Sequence, residues 1–385
     1  MNFFGFKFGR ENNEQEKYYH NSAQNYSNAL ANYYIQEKIY LDISNDQEFG
    51  LVGLRNYKNV CYINSVLQCL KNIYLLIIFF INNQNNTQEI SNNFQYILSK
   101  LLYKKSNTSA ICLKSIMEKH DNYFKGIESK DSLNFYVSLL SMLHKELNIN
   151  QKEKYYENNF SDKNSEEYFF KKKREFFAKN NSIIINIFYG CQKNTFSCDI
   201  CKTKIYKFEP FNFLDLSIKK DELQINNLEE CFKIYQRKEQ LEIECEKCKK
   251  SKLNVKYEIF SLPKILVISF KKSDQKKHKV NFPEKLYMSQ IIENETEKNK
   301  EYNLIGFINH INENSNKSHN YCITKNIFNN KWYLYSDLTI YGIDKIQPFF
   351  NEAILLIYQL SGIEMPKNCL NELKSIIQFI NEKNK

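Results

Sequence analysis

Two cysteine constellations in this chain have the residue types and spacing to carry chemistry. The first is Cys198-Asp-Ile-Cys201 with Cys245-Glu-Lys-Cys248, two CxxC pairs separated by 43 residues. Two thiolates three positions apart close on one ion from a tight turn, and two such turns complete a tetrahedral tetrathiolate zinc site. Four thiolates leave no open position for water or substrate, so the expected role is structural. The separation exceeds the ~15–20 residues of a compact zinc finger and suits two β-arms pinned at their tip. The second constellation is Cys61, in Gly53-Leu-Arg-Asn-Tyr-Lys-Asn-Val-Cys61-Tyr-Ile-Asn-Ser65. A thiol at a helix N-terminus feels the positive end of the dipole, which favours thiolate. The irregular stretch before it can present Asn56 and backbone N–H groups to a developing oxyanion. By itself, a cysteine on an amphipathic helix is more often core, and Cys69 two turns on has that reading.

A thiol nucleophile needs a base, and the chain has six histidines. His20 lies in a polar N-terminal stretch and His144 within a helical pattern. His310 and His319 flank a polar loop between two expected strands, followed by Trp332-Tyr-Leu-Tyr-Ser-Asp337. A histidine on one strand with an acid or hydroxyl on the next acquires its orienting partner across a hairpin.

The elements that must position these groups follow from periodicity. Tyr62, Ile63, Val66, Leu67 and Leu70 form one face of a helix. Asn82–Asn93 reads as a polar break. Asp131–Leu147 is a second helix with Asp131 as its N-cap. Residues 149–181, with Lys171–Arg174 reading KKKR, look like a charged, solvated insertion or loop. From Ser182 onward, Ile183–Ile187, Phe208–Ile218, Val255–Phe260, Ile265–Phe270, Leu304–Asn309, Tyr321–Thr324, Trp332–Tyr335 and Ala353–Tyr358 read as strands. Leu370 to Ile380 is a final amphipathic helix. Helices first and strands later indicate an α+β fold.

Composition narrows the function class. The chain has 385 residues, a net charge of +10 and eleven cysteines. With 42% hydrophobic and 25% charged residues it is globular rather than wholly disordered. The longest apolar run, Ile73–Ile81, falls short of the ~20 residues of a spanning helix, so no membrane association is expected. No secretory signal fits the start, which with an odd cysteine count implies a reduced, intracellular protein of cytoplasm or nucleus. The positive charge raises a nucleic-acid partner, but the basic residues are dispersed and no nucleic-acid-binding motif accompanies them.

The whole set resembles the ubiquitin-specific protease family of cysteine deubiquitinases. The family's cysteine box, GLxNLGNTCYxNSxLQxL, is similar to Gly53–Leu70. Its QDAxEF block resembles Lys130-Asp131-Ser-Leu-Asn-Phe135. The first of two widely spaced CxxC pairs is followed by Phe208-Glu-Pro-Phe211, and Leu262-Pro-Lys-Ile-Leu266 and Val280-Asn-Phe-Pro283 resemble the next signatures. The histidine box, HxGxxxxGHY then WYxFDD, resembles His310–Ile340.

The resemblance implies a papain-like fold with helical thumb (about 50–181), β-rich palm and zinc-pinned β fingers (about 182–362). An extension (1–49) would precede this catalytic domain and a helical tail (363–385) follow it. It implies Cys61 as nucleophile, His319 as base, Asn56 at the oxyanion and Asp131 on the substrate tail. One structural zinc would sit on Cys198, Cys201, Cys245 and Cys248, and the protein would act as a monomer on ubiquitin or ubiquitinated proteins. The family's orienting acid falls on Ser336 and the acid after it on Asp337. Lys58 stands for a glycine, Val60 for a threonine, Ser318 for a glycine and Asn320 for a tyrosine. These departures leave a catalytically weak ubiquitin-binding scaffold of the same fold as the alternative to a hydrolase.

Overall fold

A computed structural model describes residues 40–41, 49–83, 88–103, 108–150, 166–220, 223–224, 227–249, 252–271, 280–292, 294–314, 317–366 and 369–383. His20, His278 and most of the N-terminal extension lie outside the described residues. Nine helices are described: α1 (Cys61–Leu70), α2 (Tyr74–Asn82), α3 (Glu89–Leu102), α4 (Ile111–His120), α5 (Ser132–Leu147), α6 (Glu166–Lys179), α7 (Ile183–Phe188), α8 (Leu228–Tyr235) and α9 (Cys369–Lys383). Short strands β1 (Tyr40–Leu41), β2 (Leu54–Arg55) and β3 (Thr108–Ser109) lie among the early helices. Then come β4 (Gly190–Ser197), β5 (Lys204–Phe211), β6 (Leu214–Leu216), β7 (Lys219–Lys220), β8 (Leu223–Gln224), β9 (Glu239–Leu241), β10 (Leu253–Ser261) and β11 (Ile265–Phe270). The chain ends its strands with β12 (Lys285–Tyr287), β13 (Glu301–Asn314), β14 (Lys317–Lys325), β15 (Trp332–Ser336), β16 (Thr339–Ile343) and β17 (Ala353–Leu360).

The central sheet runs β1-β16-β15-β14-β13-β17-β11-β6, with β12 on β13, and a separate sheet runs β5-β4-β10-β9. Both faces of the central sheet are covered. Ile265, Val267, Cys322, Tyr333 and Ile357 join the helical core, while Leu266, Ile268, Ile323, Leu334 and Leu356 join a second core with Phe282 and Phe349. That is why β11 and β17 read as unbroken apolar runs rather than alternating ones. β1 adds an edge strand, Tyr40 opposite Ile343, and α9 buries Leu373 and Ile377 in the helical core. The chain on either side of 50–362 thus takes part in the packing. No single helix among the described residues is long and apolar enough to cross a membrane.

Three expectations are corrected. Residues 166–179 of the charged segment form helix α6, because Phe169 and Phe176, two turns apart, lay one apolar face on Phe208 of the finger sheet. Its KKKR run carries ordinary helix-surface pairs such as Lys172 with Glu175 at 2.8 Å. Ile183–Ile187 is helical, not a strand. Ser182 Oγ accepts from the Ile185 N–H, and burial of Ile184, Ile185, Ile187 and Phe188 outweighs their β propensity. The polar break ends by Gln88, since α3 starts at Glu89. Glu146 of α5 accepts from the Ile90 N–H (3.0 Å), the Ser91 N–H (2.7 Å) and the Ser91 hydroxyl (2.6 Å), capping α3 from a neighbouring helix.

Candidate active site and metal centre

Cys61 is the first residue of α1, 2% exposed. Val60 caps the helix without a side-chain hydrogen bond, so the first-turn N–H groups are not consumed by a capping side chain. The loop before it folds through two left-handed residues, Lys58 (φ 58°) and Asn59 (φ 54°). The position where the family pattern has glycine therefore needs positive φ, and Lys58 adopts it at a conformational cost. Gly53 has a different constraint. A Cβ there would lie 2.6 Å from the Leu338 backbone, and the adjacent Leu54 N–H donates to the Asp337 carbonyl at 2.9 Å. The strand leading to the nucleophile is thus tied to the turn that carries Asp337.

β14 packs along α1 and pairs with β13 so that Ile311 faces His319 and His310 faces Asn320. His319 is 5% exposed, and its Nε2 lies 2.9 Å from Ser336 Oγ and 3.9 Å from Asp337 Oδ2. Burial pushes the imidazole below its usual range, while the Asp337 charge pulls it back up. Burial also pushes the Asp337 carboxyl up to about 7, against the charge of His319 and the amides of Asn64 and Asn56. Asn64, one turn along α1 from Cys61, donates to Asp337 Oδ1 at 2.8 Å, and Asp337 Oδ2 accepts no hydrogen bond. Asn56 is 7% exposed, faces the same carboxyl, and its Oδ1 has no hydrogen-bond partner.

Asp131 caps α5, its Oδ1 accepting from the N–H groups of Leu133 (2.8 Å) and Asn134 (3.2 Å). Residues on either side of it reach the centre: Ser129 Oγ lies 3.9 Å from Cys61 Sγ, and Ser132 Oγ donates to Asn320 Oδ1 at 3.2 Å. The structure therefore brings Cys61, His319, Ser336, Asp337 and Asn56 to one locus and sets Asp131 at its rim. His144, by contrast, bonds Ser182 and Asn180 away from this group. Ser129, Asn64 and the side-chain role of Asn320 escaped sequence reasoning. Only Asn64 left a signal, since it falls three residues after Cys61 on the same helical face.

The other constellation closes at the tip of the second sheet. Cys198 and Cys201 sit in the β4–β5 turn, Cys245 and Cys248 between β9 and β10. Cys198 Sγ is 3.5 Å from Cys248 Sγ, Cys201 Sγ is 3.6 Å from Cys245 Sγ, and all four sulfurs lie within 4.8 Å of one another. Each CxxC turn ends on a left-handed lysine, Lys202 (φ 56°) and Lys249 (φ 58°), whose N–H returns to the first cysteine's carbonyl. Tetrahedral zinc with Zn–S of ~2.3 Å separates its sulfurs by about 3.8 Å, so the two turns fit one ion. The Thr203 hydroxyl beside Cys201, 3.2 Å away, helps pull that thiol down to about 6. Four cysteines could hold a metal ion here.

A helical lobe carrying a cysteine at a helix start, a β lobe carrying its histidine, and a finger sheet closed by four thiols define a papain-like thiol hydrolase fold. The chain belongs to the ubiquitin carboxyl-terminal hydrolase family, whose model matches residues 52–358. Ubiquitin carboxyl-terminal hydrolase 2 of Bos taurus is 25% identical over 338 residues, covering 81% of this chain and 55% of that protein. Probable ubiquitin carboxyl-terminal hydrolase 1 of Schizosaccharomyces pombe is 30% identical over 190 residues, 45% of this chain and 22% of that one. The chain thus spans about half or less of the length of these relatives. Among solved structures, the SAGA DUB module of Ubp8, Sgf11, Sus1 and Sgf73 bound to monoubiquitin matches with TM-score 0.64 at 21% identity, over 86% of this chain and 74% of that one. The same module bound to ubiquitin aldehyde matches with TM-score 0.62 at 22% identity, over 86% and 74%.

Proposed function

We propose that the protein is a thiol-dependent deubiquitinase that hydrolyses the isopeptide or peptide bond after the C-terminal glycine of ubiquitin. The observation that carries this reading is the convergence of Cys61 at the start of α1 with a buried His319 held at 2.9 Å by Ser336. Family membership and solved neighbours bound to monoubiquitin and ubiquitin aldehyde supply the substrate class.

The Cys61 thiolate attacks the carbonyl carbon of the terminal glycine. The oxyanion is met by first-turn N–H groups that no side chain caps and by the Asn56 amide. His319 hands a proton to the departing lysine amine. Water activated by the same imidazole then releases the thioester. Ser336 fixes the ring through Nε2, leaving Nδ1 to move the proton, and Asp337 supplies charge beside it. Asp131 holds the incoming tail, between two residues that already touch the site.

We assign one structural zinc to Cys198, Cys201, Cys245 and Cys248, which would hold the finger tip that grips the body of ubiquitin. The sulfur spacing supports this. We further assign the catalytic domain to 50–362, an intracellular location in cytoplasm or nucleus, and action as a monomer. A larger species in analytical ultracentrifugation would overturn the last.

The test is reaction with ubiquitin bearing a C-terminal electrophile, together with di-ubiquitin cleavage. A covalent adduct on wild type, none on Cys61→Ser, and turnover of di-ubiquitin are the expected results. Binding without adduct or turnover would overturn the hydrolase reading. Asn56→Ala should cost about 10²–10³ in kcat.

A further inference from the structure

The family pattern has tyrosine directly after the base; this chain has Asn320 there, only 2% exposed. Its strand parity sets it with Cys322 and Thr324, which pack toward α1, where the Asn72 amide reaches Thr324. The Asn320 Oδ1 is taken twice, by Ser132 Oγ at 3.2 Å and by His310 Nδ1 at 3.1 Å across the β13–β14 pair. An amide whose oxygen receives two donors is fixed in its flip, and its Nδ2 lies 3.7 Å from Cys61 Sγ, aimed at the sulfur.

We propose that Asn320 is a catalytic residue of this enzyme, donating an amide N–H to the Cys61 thiolate, and that His310 is the positioning residue that fixes and polarises that amide. The donor stabilises the charged nucleophile and not the neutral thiol. The charged and titratable groups around the sulfur are Tyr62 on its own helix, His319 and His310 on the strand pair, Asp337 at the end of β15, and the mutually paired Glu128 and Lys130 beside Ser129. None of them replaces a neutral N–H directed at the sulfur. The inference rests on Cys61 being the nucleophile, as proposed above, but its test needs no ubiquitin.

The experiment is alkylation of Cys61 by iodoacetamide, followed by peptide mass spectrometry at about pH 6 and about pH 9.5. The comparison is wild type with Asn320→Leu, the isosteric Asn320→Asp and His310→Ala, each checked by thermal melt. At the lower pH the expected rates fall about tenfold in Asn320→Leu and further in Asn320→Asp, which places a like charge beside the thiolate. His310→Ala should lose several-fold. At the higher pH all four proteins should react alike, because an effect on ionisation alone is lost there. Equal rates at both pH values would overturn the proposal. So would an equal loss at both, which reports access rather than ionisation. If Asn320→Leu does not fold, Asn320→Asp decides. Altered alkylation in a protein that leaves ubiquitin substrates uncut would sink the deubiquitinase reading and leave this inference standing.

Discussion

At the scale of single residues, the orienting group of His319 is divided between a hydroxyl and a carboxyl. Ser336 makes the hydrogen bond at 2.9 Å, and Asp337 stands off at 3.9 Å with one oxygen accepting no hydrogen bond. Losing one neutral hydrogen bond costs roughly 1 kcal/mol, so Ser336→Ala should lower kcat/KM by about three- to tenfold. Asp337→Ala removes a charge and an anchor of Asn64, and it should cost more. Steady-state cleavage of a fluorogenic ubiquitin substrate orders the two. The buried Asp337 carboxyl also makes stability depend on pH. Its folded-state pKa is raised to about 7, so the folded state favours its neutral form. Stability is undiminished below the ordinary carboxyl range near ~4 and declines as pH rises through about 7. Asp337→Asn removes that titration, so the variant should gain melting temperature over wild type progressively across that window. A constant offset would contradict the burial argument. Lys58 pays for its positive φ with roughly 1–2 kcal/mol, and Lys58→Gly should raise Tm by about 2 °C.

At the scale of elements, the site depends on two close approaches. Gly53 lets β2 lie against Leu338, where a Cβ would meet backbone at 2.6 Å. Gly53→Ala must therefore push the strand before Cys61 away from the Asp337 turn. The expected outcome is folded protein with turnover reduced by more than tenfold, as a small displacement of catalytic groups produces, measured with the same substrate. The β13–β14 pairing is the other approach, since it sets His310 beside Asn320 and His319 one residue back. A one-residue slip would turn every one of these side chains to the opposite face. α1 and α5 were legible because apolar residues repeat at the helical period, and β11 and β17 because each is a nearly continuous apolar run of strand length. α6 and α7 were not, because their helicity depends on partners far along the chain: the finger sheet for α6, and burial of Ile184, Ile185, Ile187 and Phe188 for α7.

At the scale of the molecule, two large cores stabilise the central sheet, whereas among the described residues the finger tip buries together only Cys198, Cys245 and Leu253. So small a cluster cannot hold two turns of backbone, so the tip depends on a metal if it is to be rigid. Stripping metal with a thiol-compatible chelator should raise hydrogen exchange across β4, β5, β9 and β10. β11, β13, β14 and β17 should stay protected. Uniform loss of protection would show that the fingers are not a separate unit of stability.

Local chemistry was enough for the sequence alone to determine the four thiols that could hold a metal ion, the cysteine at a helix start, the Asp131 cap and the α+β class. Spacing along one chain segment encodes each of them. Only the tertiary structure decided which groups meet: Ser336 and Asp337 on one imidazole, Asn64 under Asp337, Glu146 on the end of α3, and the Asn320 amide on the sulfur. The physical reason is that hydrogen bonds at 2.6 to 3.7 Å between residues as much as 273 positions apart are fixed by strand register and helix packing. No local periodicity records them.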